Sequence, residues 1–282
     1  MSLQRALLIL VALVLVAGLV PAGILMDRRL ESALETGARR DLAVAPRVLE
    51  DRLTMQADAR MMHAKDAAGI DGLGSALSAG DSAAAAEMAR SAALGAGEEL
   101  LLLDDRGRRI LGPPVDTEIL GRARDGSIPV VLTGEGGELR TVAVSRVMSG
   151  EETVGFVGVW TPVDQGEAGN LAALTRSDVL ITDGDGRLAA FTGDSVQARG
   201  LLDAAHDRPP EGEVREVAWD GRRFLLASAP WGPARVTFVR AMEEELAVLP
   251  SLRRIGAVSL ALALLFGAVA GGAFAAGLGR PV

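Results

Sequence analysis

The 282-residue sequence has no cysteine, no tyrosine and only two histidines, His63 and His206. Without cysteine there is no disulfide or thiolate chemistry, and the compartment stays open, since the absence neither demands nor forbids an oxidising one. The two histidines fall on different predicted helices with no paired-ligand spacing, so no zinc site is expected and each reads as a surface or packing residue. Met61 and Met62 beside His63 are soft ligands of the kind copper takes; helix packing accounts for them more simply. Basic residues are outnumbered, 29 against 37 acidic. An acidic chain repels the phosphates of nucleic acid, which excludes that class of partner.

Charge is missing altogether from two long stretches, Ala6 to Met26 and Ile255 to Gly279. A helix needs about 20 apolar residues to cross the hydrocarbon core, and both suffice. The segment between them, 27–254, holds 27 basic and all 37 acidic residues, a net charge of −10. The first stretch has a competing reading as a cleaved signal peptide, with Arg5 before it and small residues at Val20-Pro21-Ala22. The apolar run continues through Met26 into a helical pattern without a break, which favours an uncleaved anchor. Residues 1–5 then form a short cytoplasmic N-terminus, 6–26 and 255–279 two transmembrane helices, and the membrane is a partner.

From Arg28 to about Ala67, apolar residues at Leu30, Leu34, Ala38, Leu42, Ala45, Leu49 and Leu53 step by three or four and predict one long helix, its stripe passing on through Gln56 and Arg60. Pro46 is expected to kink it or to join two helices. The stripe suits packing on the domain's own body, or a seam between two copies of the chain. Asp81 or Ser82 caps a further short helix within the Ala- and Gly-rich stretch 69–97.

At Glu98 the pattern changes to strands. "LLLDDRGRRI", Leu101 to Ile110, and "VLITDGDGRL", Val179 to Leu188, each set an acidic turn between apolar runs. Asp104 and Asp183, and Gly107 and Gly186, coincide at one offset of 79 residues. After each hairpin come a helical cover and three antiparallel strands. The α+β body is therefore a duplication: 27–97 a long stalk helix with short cover helices, 98–164 a first unit, 165–240 a second. The stretch 241–254 resumes a helix, interrupted only by Pro250, and leads into the second apolar span.

Two anchors, a long helix, tandem strand units and a strand-to-helix exit resemble the double Cache (tandem PAS-like) sensor regions of bacterial transmembrane receptors. The residues that carry the likeness are "GDSAAAAEMARSAALGAGEELLLLDDRGRRI", "RTVAVSRVMSGEETVGFVGVWTPVD", "VLITDGDGRLAAFTGD" and "GRRFLLASAPWGPARVTFVRAMEEEL". The final "GLGRPV" looks like the opening of a HAMP linker at 280–282. The resemblance implies a homodimer in the inner membrane with 27–254 extracytoplasmic. It also implies a small-molecule ligand in the membrane-distal unit 98–164, a membrane-proximal unit 165–240, and output through a histidine kinase or similar domain. Positive charge alone would place the body inside, since Arg28, Arg29, Arg39 and Arg40 follow the first span and only Arg5 precedes it. That rule weakens for long translocated domains. Amino-acid-binding members use tyrosines, and their absence here argues against an amino acid held in the usual way. A membrane-anchored scaffold binding another protein through its duplicated body is the alternative.

No nucleophile–base set, P-loop or kinase motif stands in the sequence, so neither enzyme activity nor a cofactor is expected. "DGDG" at 183–186 echoes a calcium loop, but no acidic residue closes it and Arg187 opposes a cation, so Asp104, Gly107, Asp183 and Gly186 read as hairpin turns and no metal is expected. On the first unit's strands, alternation puts Arg140, Val142, Val144 and Arg146 on one face, and Phe156, Gly158 and Trp160 on one face of the next strand. Arg140, Arg146, Phe156 and Trp160 are the candidate ligand residues, because an arginine fork matches a carboxylate.

Overall fold

A computed structural model describes residues 3–115, 117–124, 131–135, 138–205 and 212–278. His206 lies outside them. The chain divides into a helical pair, residues 1–40 with 241–282, and a body, Asp41–Arg240.

In the body the expected duplication is explicit. The first sheet has the strand order β2-β1-β5-β4-β3 and the second β7-β6-β10-β9-β8. These are β1 Glu99–Asp104, β2 Arg109–Leu111, β3 Val131–Glu135, β4 Glu138–Ser149 and β5 Glu152–Pro162, then β6 Asp178–Thr182, β7 Leu188–Phe191, β8 Val214–Trp219, β9 Arg222–Trp231 and β10 Ala234–Ala241. In each sheet the hairpin comes first and its inner strand then pairs with the last strand of the unit.

The two turns that open the sheets share one geometry. The Asp104 carboxylate accepts from the backbone N–H of Arg106 (3.0 Å) and of Arg108 (2.7 Å), and from Arg108 Nε at 2.6 Å. Asp183 Oδ1 accepts from the Arg187 N–H at 2.8 Å. Gly107 and Gly186 sit at φ 81° and 82°, the left-handed conformation that glycine adopts without a Cβ penalty. Burial pushes the Asp104 carboxyl up, and the bonds from Arg108 and Arg106 outweigh it, so its pKa lies below the ordinary value. These acids close hairpins.

Helix α1 runs from Leu3 to Ala68. It passes through Pro46 with no join, because loss of one N–H leaves a single carbonyl unbonded while both flanks stay packed: Leu42, Ala45 and Leu49 are buried. Farther along, Ala64 packs on Ala143 of β4 and Val159 of β5. The stripe between 42 and 67 is thus covered by the chain's own body. Helices α2 (Leu73–Ser78) and α3 (Ser82–Arg90) complete that layer, and Asp81 caps α3 by accepting from the Ala84 N–H at 2.9 Å. Leu100, Leu102, Val147 and Val157 face them.

Alternation sends Leu101, Leu103, Val142, Val144 and Phe156 to the opposite face, beneath Ile119, Leu120 and Ala123 of α4 (Thr117–Arg124). Each large apolar side chain so buried contributes about 1.5–3 kcal/mol. In the second half, α5 (Gln165–Thr175) is capped by Asp164, and α6 (Ser195–Ala204) by Asp194. Ala198 and Leu201 of α6 lie by Leu180 and Val239 of the second sheet.

In the helical pair, α7 (Met242–Leu246) and α8 (Leu249–Leu278) are separated at Ala247–Val248, not at Pro250. Pro250 falls in the first turn of α8, where the N–H groups have no helical partner to lose. Arg253 grips Asp27 of α1 with two bonds, Nε to Oδ1 at 2.8 Å and Nη2 to Oδ2 at 2.9 Å. Among the described residues one helical stretch, Met242–Gly267, is long and apolar enough to cross a membrane. The run 6–26 is helical throughout as part of α1.

Candidate ligand-binding face

Strands β4 and β5 pair in the register Arg140↔Pro162, Val142↔Trp160, Val144↔Gly158 and Arg146↔Phe156. The four candidate residues therefore do share one face, the face under α4. The guanidinium of Arg140 lies over the Trp160 ring, 5.1 Å from its centroid, and bonds to Glu138. Trp160 Nε1 is buried and has no hydrogen-bond partner among the described residues. A buried donor without an acceptor costs about 1–3 kcal/mol.

Phe156 is fully buried, and Arg124 of α4 lies 5.9 Å over its ring while donating to the Asp105 carbonyl at 2.9 Å. Arg124 was not legible as a site residue in the sequence, because only the docking of α4 places it over β5. Arg146 does not join the group. Its side chain is exposed, and it stands six residues along β4 from Arg140, roughly 20 Å at the rise of a strand. It lines a separate groove with Lys65, Asp71 and Met148.

The floor between these groups is apolar and close-packed. A Cβ on Gly158 would stand 2.7 Å from the Ala143 carbonyl oxygen and 3.1 Å from a Leu101 methyl, so glycine is required there. Two guanidinium groups and an indole N–H over such a floor offer donors and few acceptors, the complement of a carboxylate.

The other face of the same sheet carries a part-buried polar seam along α1. His63 Nδ1 lies 2.7 Å from Glu98 Oε2, which also accepts from the Gly95 N–H at 2.7 Å. About two turns toward the N-terminus, Gln56 Nε2 donates to Glu167 Oε1 of α5 at 3.0 Å. Arg60 sits between them, 7% exposed. Desolvation lowers its pKa from the ordinary arginine value, and Glu167 and Glu98 act against that. His63, expected as a plain surface or packing residue, is thus part of a hydrogen-bonded polar seam. Its partner is 35 residues distant, and no local pattern announces it.

At the far end of the body Arg240, 8% exposed, donates through Nη2 to the carbonyls of Thr175 (3.3 Å) and Arg176 (3.0 Å) and lies 3.5 Å from Asp41 of α1. It closes the C-terminus of α5, where Arg176 adopts φ 51°. Among the described residues no group of three or more His, Asp or Glu is placed to hold a metal ion.

No protein-family model matches this chain, and no curated protein matches it. Solved structures do. The ligand-binding domain of the Campylobacter jejuni chemoreceptor Tlp3 in complex with 4-methylisoleucine is 14% identical, over 77% of this chain and 94% of that one, with a TM-score of 0.52. The sensory domain of the same chemoreceptor gives 13% identity over 75% and 96% of the two chains at a TM-score of 0.50. Its complex with L-norvaline gives 16% over 77% and 93%, also at 0.50. A long helix followed by two sheets of identical strand order thus gives this chain a fold similar to that of the ligand-binding domain of the bacterial chemoreceptor Tlp3.

Proposed function

We propose that this chain is the sensory input module of a transmembrane receptor that binds a small molecule outside the cytoplasm. The observation that carries the reading is the repeated strand order β2-β1-β5-β4-β3 and β7-β6-β10-β9-β8, in a fold similar to that of a chemoreceptor ligand-binding domain, on a chain whose two ends continue as apolar helices. The first sheet, 98–164, is the membrane-distal sensing unit and the second, 165–240, the membrane-proximal one. The chain lies in the inner membrane as a two-pass homodimer, with residues 27–254 extracytoplasmic. Ligand binding biases a two-state equilibrium, and α1 and α8 carry the change across the membrane to an output of the histidine kinase type. The chain itself does no catalysis.

The ligand sits on the α4 face of the first sheet. Arg140 and Arg124 supply positive charge, Trp160 a ring and a free N–H, and Phe156 with Val142 and Val144 the apolar floor. The class that fits is a small carboxylate with an apolar tail. Tlp3 binds amino acids in the structures compared above; Glu138, the acid that bonds Arg140, is already held by it, so among the described residues an ammonium group is poorly served here.

The test is a thermal-shift and calorimetric screen of the full chain in lipid nanodiscs against monocarboxylates, amino acids and sugars. A saturable shift for carboxylates that Arg140→Ala weakens about tenfold or more is expected. No shift with any carboxylate, or a shift indifferent to Arg140→Ala, overturns the site. A periplasmic reporter fused at Asp125 that stays inactive overturns the topology.

A further inference from the structure

We propose that the groove lined by Lys65, Ser145 and Arg146 is a second ligand site of the first unit, one that takes a small phosphate-bearing anion. It lies away from the α4 face and uses none of the residues placed there.

Two tight contacts hold the helical layer on β4. At one, Ala64 of α1 packs on Ala143. At the other, α2 meets the end of β4 so closely that a Cβ on Gly74 would stand 2.5 Å from the Met148 carbonyl oxygen. Along β4 these points are about 17 Å apart at the rise of a strand. The α1–α2 turn, with glycine at 69 and 72, does not fill that stretch. It leaves a space of about 550 Å³, within the range of small-molecule sites.

The groups around this space are donors without acceptors. Ser145 shares the α1 side of β4 with Ala143 and Val147. It is 7% exposed, and its hydroxyl has no hydrogen-bond partner among the described residues. Lys65 and Arg146 are exposed and make neither a hydrogen bond nor an ion pair among the described residues. Alternation alone would send Arg146 to the α4 side. Among the described residues, however, β3 pairs with β4 only as far as Val142, so the edge beyond is open and Arg146 lines the groove there.

Two cations and a buried hydroxyl on one space call for an anion. They come from a helix, the floor of the sheet and a strand edge. A planar carboxylate matches one guanidinium fork. A phosphate group offers three strong acceptor oxygens, one for each donor. Asp71 also lines the groove and has no partner among the described residues. It can accept from a ligand hydroxyl, so a phosphate ester of a polyol is better served than free phosphate.

The experiment is a calorimetric titration of the full chain in phosphatidylcholine nanodiscs, with empty nanodiscs as control. The probes are glycerol 3-phosphate, inorganic phosphate, acetate and glycerol at equal ionic strength. Expected is saturable binding of both phosphate compounds, the ester more tightly, with acetate weaker about tenfold or more and glycerol silent. Lys65→Gln, Arg146→Gln and Ser145→Ala should each weaken the phosphate compounds about tenfold or more, and Arg140→Ala should leave them unchanged. Lys65 and Arg146 are exposed, so their variants should melt with the parent. Four results overturn the proposal: no saturable heat from either phosphate compound up to about 10 mM, beyond millimolar affinity; binding that survives Lys65→Gln and Arg146→Gln together; binding lost in Arg140→Ala, which would trace it to the α4 face; or acetate bound as tightly as phosphate. Equal affinity for glycerol 3-phosphate and phosphate would uphold the site and assign it to phosphate itself.

Discussion

His63 Nδ1 and Glu98 Oε2 meet at 2.7 Å between α1 and the start of the first sheet. Glu98 is the shared acceptor of the seam, serving His63 and the Gly95 N–H and lying close enough to act on Arg60. Glu98→Ala leaves the part-buried Gly95 N–H without its acceptor and removes a charge that acts on the buried Arg60 guanidinium. A loss of about 2–3 kcal/mol is expected, read as a lowered melting temperature of the full chain, with Glu98→Gln costing less because it restores one acceptor. A Glu98→Ala chain as stable as the parent would show that the seam contributes nothing.

Asp104 gives the fold an acid limit. Its folded pKa lies below the unfolded value of about 3.9 because the bonds from Arg108 and Arg106 outweigh the effect of burial. The group is stabilising above the unfolded pKa, and that contribution fades as pH falls through the lower folded value. Between about pH 5 and pH 2 the parent should lose stability more steeply than Asp104→Asn. Parallel curves of melting temperature against pH would contradict this.

Gly200 of α6 faces the indole of Trp219, and a side chain there would collide with the ring. Gly200→Ala should destabilise by about 1–3 kcal/mol, as overpacking does. Adding Trp219→Ala should return part of the loss, a coupling that a double-mutant cycle measures. Additive effects would mean that the collision is relieved by movement of α6.

Arg240 holds the last carbonyls of α5 and stands by Asp41. Arg240→Leu should cost about 2–3 kcal/mol, since its bonds are charged and nearly buried. Asp41→Asn should cost at most about 1 kcal/mol, because that carboxylate is 72% exposed and its pairing is screened. Equal losses from the two substitutions would place the stabilisation in the ion pair and not in the carbonyls.

The strands were readable because alternation is local: β8 was expected at Val214–Trp219 and spans those residues. Face sharing by Arg140, Phe156 and Trp160 followed from the same period. What alternation does not carry is distance along a strand in relation to ligand size, which separates Arg146 from Arg140. Nor does it carry the approach of α4, which adds Arg124. His63, Glu98, Arg60 and Glu167 were invisible as a group, because their separations in sequence bear no relation to the packing of α1 on the sheet. At Pro46, read as a kink or a join, the helix continues without a join: the local cost of a proline is real, and tertiary packing on both sides outweighs it.

The sequence by itself determined the two uncharged runs, the acidic body, the hairpin turns at Asp104 and Asp183, and the duplication that their 79-residue offset exposes. All of these rest on periodicity and composition, which act between near neighbours. Only the tertiary structure decided which donors lack acceptors. Trp160 and Thr182 are ordinary residues in the chain, and they become notable when folding buries Trp160 Nε1 and the Thr182 hydroxyl without a partner among the described residues. An unmatched donor is a property of the space around it, and that space is set by contacts between residues far apart in sequence.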